Sequence, residues 1–115
     1  MSYATLDSVF SALGDPTRRQ IVERLARGRQ SITEVAAGIP MSQPAISKHV
    51  KVLEESGLIR RRIEGRVHQL ELTPKTMDAA ASWIETQRKF WNAALDRLAA
   101  YLSETAPTAK ERKKK

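Results

Sequence analysis

Gln43, Ser47, Lys48 and Lys51 are the side chains of this sequence best suited to reading the edge of a nucleic-acid base. A Gln amide matches an adenine edge bidentately, a Ser hydroxyl donates or accepts, and a Lys ammonium reaches guanine acceptors or phosphate oxygens. On a helix, Pro44, Ser47, Lys48 and Lys51 fall at i, i+3, i+4 and i+7, while Ile46, His49, Val50 and Leu53 form a second series of the same spacing. One face is polar and basic, the other mostly apolar. Ser42 is placed to cap the first turn, and Pro44 falls where its missing amide costs nothing. Gly57 supplies the stop. A short basic helix alone is more often a solvated surface than a reader, so its neighbours decide.

Those neighbours begin with an amphipathic helix from about Tyr3 to Leu13, in which Leu6, Val9, Phe10 and Leu13 repeat at helical spacing. Gly14 ends it, and Asp15-Pro16 opens a second helix whose buried side is Ile21, Val22 and Leu25. Arg18 and Arg19 sit in its first turn, where the helix dipole disfavours a cation, so another partner must attract them. Asp15 is favoured over a DNA phosphate. Ser31-x-x-Glu34 has capping-box spacing and opens a short third helix with Ile32, Val35 and Ala36 inward. Gly38-Ile39-Pro40-Met41 then links it tightly to the basic helix, which describes a helix-turn-helix.

Beyond Gly57, Leu58–Ile63 and Val67–Leu72 are rich in β-formers and separated by Glu64-Gly65-Arg66, a β-hairpin pattern. Arg60, Arg61, Arg62 and Arg66 gather near its tip and suit a phosphate backbone or a minor groove. An isolated hairpin of this kind would be a charged, aggregation-resistant edge; directly after a helix-turn-helix it reads as a wing. Thr73-Pro74 starts a last helix free of Pro and Gly to about Glu104, roughly 45 Å at 1.5 Å per residue. Met77, Ile84, Trp91 and Leu98 recur every seven residues along it, with Ala80, Ala81, Ala94, Leu95, Tyr101 and Leu102 on the same broad face. A second copy of the chain could cover that face, with Leu6, Val9, Phe10, Ile84, Trp91, Leu95, Leu98 and Leu102 as the expected dimer contacts. The alternative is that the helix folds back over its own domain.

The fold expected is mainly α (α+β): a winged helix-turn-helix with a two-stranded β-hairpin wing and a long C-terminal dimerisation helix. It occupies residues 1–105, followed by a disordered basic tail over 106–115. Across 115 residues, 20 Lys and Arg against 13 acidic residues give a net charge of +7, which favours a polyanionic partner. The Lys110–Lys115 stretch supplies +4 of it, leaving +3 on the body. The absence of cysteine removes disulfides, thiolate metal sites and thiol redox sensing together. Neither a signal segment nor a run of about 18 apolar residues is present, so a cytoplasmic protein without membrane contact is expected.

At this point the chain resembles the ArsR/SmtB family of bacterial winged-helix repressors over about residues 3 to 103. The resemblance is carried by Leu13-Gly-Asp-Pro-Thr-Arg18 with Ile21 and Leu25, by Ser42-Gln-Pro-Ala-Ile-Ser-Lys-His-Val-Lys-Val-Leu53, and by Gly57-Leu-Ile59 followed by Glu64-Gly-Arg66. It implies a homodimer built through the first and last helices, two recognition helices in successive major grooves of a near-palindromic operator, and repression relieved by an effector. It also implies Gln43, Ser47 and Lys48 as groove contacts, with Ser42 and the wing arginines nearer the backbone. The metal-sensing members carry cysteines in the helix before the recognition helix, or Asp, His and Glu ligands along the last helix. Here Ser31–Ala37 has no cysteine, and Asp78, Glu85 and Asp96 have no histidine beside them. His49 and His68, the two histidines of the chain, fall on different elements without companions at ligand spacing. The expectation is therefore a repressor of double-stranded DNA targets with no metal and no cofactor, answering to an unidentified small molecule, a protein effector, or its own concentration.

Three other readings compete. Ser47 and His49 invite a search for nucleophile and base, but two residues apart on a helix they diverge, and no phosphate loop or paired-carboxylate motif supports an enzyme. A winged helix used for protein–protein contact, with only non-specific nucleic-acid affinity, would lose far less affinity in salt. RNA binding is disfavoured by six aromatics without a stacking platform.

Overall fold

The computed structural model describes residues 3–105, so the expected tail over 106–115 lies outside the described residues. The elements run α1 (Tyr3–Leu13), α2 (Pro16–Leu25), β1 (Gln30–Ser31), α3 (Ile32–Ala36), α4 (Gln43–Glu55), β2 (Ile59–Glu64), β3 (Val67–Leu72) and α5 (Pro74–Thr105). They form two compact units, one ending at Ala80 and one beginning at Ala81. The mainly helical winged fold expected from the sequence is the fold observed.

Capping chemistry sets the helix starts. The Asp15 carboxylate accepts from the Arg18 amide at 3.0 Å, and this hydrogen bond, more than any other influence, holds its pKa below the usual carboxylate value. Ser31 and Glu34 close a full capping box, each side chain accepting from the other's backbone amide. Ser42 Oγ accepts from the Ala45 amide at 3.3 Å, with Pro44 in the first turn as the sequence requires.

The core of the first unit collects one stripe from each helix. Val9 and Ala12 of α1, Ile21, Val22 and Leu25 of α2, Val35 of α3 and Ile46, Val50 and Leu53 of α4 meet Leu58, just before β2, and Ile59 and Leu70 from the sheet. Val9 has no exposed surface and Leu6 very little, so their assignment as contacts for a second copy is corrected: their own chain already buries them.

Arg18 and Arg19 also find a partner the sequence did not suggest. Arg18 Nε donates to the Ala12 carbonyl at 2.7 Å and Arg19 Nη1 to the Leu13 carbonyl at 2.9 Å. Both guanidinium groups thus cap the C-terminal end of α1, where unpaired carbonyls and the negative dipole end attract cations. The Arg18 charge also acts on the Asp15 carboxylate, the partner expected from the sequence, and helps to lower its pKa, so no phosphate is needed to explain Arg18.

The expected two-stranded hairpin wing, β2 and β3, is extended by β1 into a three-stranded antiparallel sheet of order β1-β3-β2. Gln30 pairs with Leu70 and Ser31 with Gln69, while β2 and β3 pair from Ile59↔Leu72 to Glu64↔Val67 across a two-residue turn. Gly65 in that turn has φ +63°, a conformation costly for other residues. Gly57, between α4 and β2, has φ +82°. Gly57→Ala leaves the added methyl 3.5 Å from Thr76 Oγ1, ordinary contact, so the expected loss is backbone strain of about 1–2 kcal/mol. A denaturant midpoint unchanged by the substitution would remove that strain from the account.

Candidate nucleic-acid interface

Ile46, Val50 and Leu53 are at most 1% exposed, which fixes the rotation of α4 about its axis. The opposite face must then point outward, and Ser42, Gln43, Pro44, Ser47, Lys48 and Lys51 are all exposed. Lys51 has a loose i,i+4 partner in Glu55 at 4.0 Å, weak enough to yield to a phosphate. His49, half-buried between the two faces, holds its Nδ1 3.3 Å from Arg18 Nη1 and 3.8 Å from Asp15 Oδ2, and so ties α4 to the start of α2.

Further support comes from α3, which is only five residues long. Arg24 of α2 donates to the Val35 carbonyl at 2.9 Å and also to the Ala37 carbonyl, holding the end of α3 where the turn to α4 begins. Ile39 inserts into the core from that turn. The helix-turn-helix is thereby anchored from behind while its outer side chains stay free.

The wing arginines divide by strand alternation. Arg60 and Arg62 share one face with Glu71, which accepts from Arg60 Nε at 2.8 Å and lies 3.3 Å from Arg62 Nη2. Arg29 approaches the same carboxylate at 4.0 Å and Glu64 at 3.3 Å. The hydrogen bond from Arg60, reinforced by the Arg62 and Arg29 charges, keeps the Glu71 pKa below its ordinary value. Arg60 and Arg62 remain more than half exposed, so their ion pairs are solvent-screened and exchangeable. Arg66 lies exposed in the turn.

Arg61 differs from the other three. It pairs in register with buried Leu70, and its guanidinium reaches Glu54 of α4 and His68 of β3. Among the four arginines expected to meet DNA it is the least exposed, and its guanidinium is engaged within the fold. The period-two pattern Ile59, Arg61, Ile63 carried the signal, since it sets Arg61 on the face of two apolar residues.

Among the described residues no group of three or more His, Cys, Asp or Glu is gathered closely enough to hold a metal ion, and no helix is long and apolar enough to cross a membrane.

A three-helix core, a polar recognition helix standing out from it and a basic β-wing beside it make up the architecture of a winged helix-turn-helix DNA-binding protein. Residues 13–62 match the family model described as a helix-turn-helix domain. The HTH-type transcriptional regulator Rv2034 of Mycobacterium tuberculosis is 38% identical over 94 residues, 82% of this chain and 85% of that one. An arsenical resistance operon repressor of Staphylococcus xylosus is 31% identical over 68% of this chain and 75% of its own. The solved structure of an ArsR-like transcriptional regulator from Rhodococcus sp. RHA1 superposes with a TM-score of 0.72 at 33% identity, covering 91% of this chain and 96% of that one. The chain belongs to the ArsR family of winged helix-turn-helix transcriptional regulators.

Proposed function

We propose that this regulator is a homodimeric repressor that binds a near-palindromic operator through the major groove and does so without sensing a metal. The observation that carries the reading is the division of α4: its apolar series is fully packed, while Gln43, Ser47, Lys48 and Lys51 stand exposed and uncommitted to the core. In this reading Gln43, Ser47 and Lys48 meet base edges, Pro44 packs beside them, and Ser42 and Lys51 lie toward the backbone. Arg60, Arg62 and Arg66 follow the phosphates or the adjacent minor groove. Two such helices related by a two-fold axis would enter grooves about 34 Å apart, one turn of B-DNA.

The dimer reading is supported by α5, where Ile84, Trp91, Leu95, Leu98 and Leu102 are each 44–64% exposed in the single chain. An apolar face of this size on a basic chain is what a second copy would cover. Absence of metal sensing is supported by donor chemistry: the chain has no cysteine, and its two histidines are engaged with Arg18 and Arg61. The arsenical-resistance role in one relative's name is therefore not carried over.

Binding of the purified protein to a fluorescent duplex of its own upstream region, against scrambled DNA across a salt series, tests the reading. Specific binding with a steep salt slope is expected, and weak, equal binding to both duplexes would overturn it in favour of a protein-contact module. Gln43→Ala or Lys48→Ala is expected to cost about 1–3 kcal/mol on the operator and relax its sequence preference. Unchanged discrimination between operator and scrambled duplex would take that residue out of base reading.

A further inference from the structure

We infer that Arg61, Glu54 and His68 form a clamp that sets the wing against the recognition helix, and that Arg61 acts on DNA only by positioning. The inference rests on the DNA-binding reading above. Arg61 Nη2 donates to Glu54 Oε1 at 2.6 Å, and Arg61 Nη1 stands 3.0 Å from His68 Nδ1. One guanidinium thereby joins the last turns of α4, strand β2 and strand β3. Its fork geometry allows two differently directed hydrogen bonds at once, which a lysine ammonium on the same stem would not reproduce as rigidly. With Arg61 donating, His68 Nδ1 is the acceptor and the ring proton resides on Nε2.

Three features separate this arginine from a phosphate contact. The Glu54 and Arg61 side chains are only 29% and 27% exposed, about half the exposure of Arg60 and Arg62. Arg61 Nε is buried without a hydrogen-bond partner, so the guanidinium is turned into the protein. Breaking the ion pair to reach a phosphate would leave Glu54 as an unpaired anion on the helix that must approach the DNA. Core packing holds the base of the wing through Ile59 and Leu70, and Arg29 reaches Glu64 in a solvent-exposed pair, but Ile63 and Val67 near its tip are 64% and 47% exposed. Register between groove-reading helix and backbone-following wing decides whether both engage one duplex, and the clamp fixes that register.

The two roles predict opposite signs for Glu54→Ala. If Arg61 is a phosphate contact, removing its intramolecular competitor and one negative charge tightens binding to the upstream duplex. If it is a clamp, binding weakens, by about tenfold, the size expected for coupling within a charged network. Glu54 lies in the last turn of α4, where the dipole disfavours an anion, so the alanine does not weaken the helix itself. Glu23→Ala provides the control: the same charge change at an exposed position of α2 outside the clamp, expected to tighten binding only slightly. Arg61→Met should weaken binding while leaving the salt slope at its wild-type value, whereas loss of one phosphate contact from each of the two copies lowers the slope by about 1.8.

Amide exchange of the DNA-free protein tests the clamp independently of any duplex. Faster exchange over Arg62–Val67 in Glu54→Ala and Arg61→Met, with α2 unchanged, is the expected result. Tighter binding by Glu54→Ala, a reduced salt slope in Arg61→Met, or wild-type exchange in the wing would overturn the clamp. Faster wing exchange in a protein that discriminates no DNA would sustain the clamp and sink the DNA reading.

Discussion

Leu98→Glu should convert the protein to a monomer and cost operator affinity roughly 10²–10⁴-fold, the factor by which joining two binding modules exceeds one. Leu98 is 52% exposed in the single chain, so a carboxylate there is hydrated in the monomer and α5 loses only a little propensity. In a dimer that buries this face the same carboxylate is stripped of water without a partner, a penalty of several kcal/mol incurred once per copy. The loss therefore falls on association rather than folding. Helical content should be unchanged while sedimentation reports the lighter species. Ser82→Glu serves as control, since position 82 lies about 160° around the helix from position 98 at about 100° per residue. A Leu98→Glu protein that sediments as a wild-type-like dimer would remove α5 from the interface, and full operator affinity in a monomer would remove the dimer from recognition.

Much of the winged fold could be read directly because its signals are local. Ser42 with Pro44, Asp15 with Pro16, and Ser31 with Glu34 mark helix starts through hydrogen bonds spanning three residues, and those starts are where the caps put them. The four-residue turn signal and the i, i+3, i+4 series likewise place α4 with Ile46, Val50 and Leu53 inward. What the sequence concealed depends on distant partners. Gln30-Ser31 is too short for any strand pattern, and it is extended only because Leu70 and Gln69 offer a ladder edge forty residues on. Arg18 and Arg19 are anomalous in the first turn of α2 until the carbonyl end of α1 is seen to receive them.

The candidate interface divides the same way. The recognition face follows from helical period alone, since burial of one side compels exposure of the other. The wing is harder: a count of four arginines treats them alike, and the weak alternation of Arg61 with Ile59 and Ile63 becomes decisive only with the pairing of Arg61 with Leu70 and of Arg60 with Glu71. Val9 illustrates the opposite limit, because an apolar stripe cannot say whether its cover comes from its own chain or another.

Leu53→Ala carries the other large effect, and it separates stability from recognition on a single helix. Leu53 is fully buried at the end of α4, within the core that also holds Val50, Leu58 and Leu70. Truncation removes three heavy atoms from a close-packed site and leaves a cavity that fixed strand and helix neighbours can only partly fill, an expected loss of about 2–5 kcal/mol. Against a total of about 5–15 kcal/mol for a domain of this kind, that is enough to lower the urea midpoint substantially. The reading face is untouched: Gln43 and Lys48 lie on the first turns and point away from the cavity. Operator affinity per folded molecule should therefore stay within a few-fold of wild type at low temperature, while the midpoint falls. A variant that keeps its midpoint but loses operator discrimination would show that Leu53 governs the pose of α4 rather than the stability of the core.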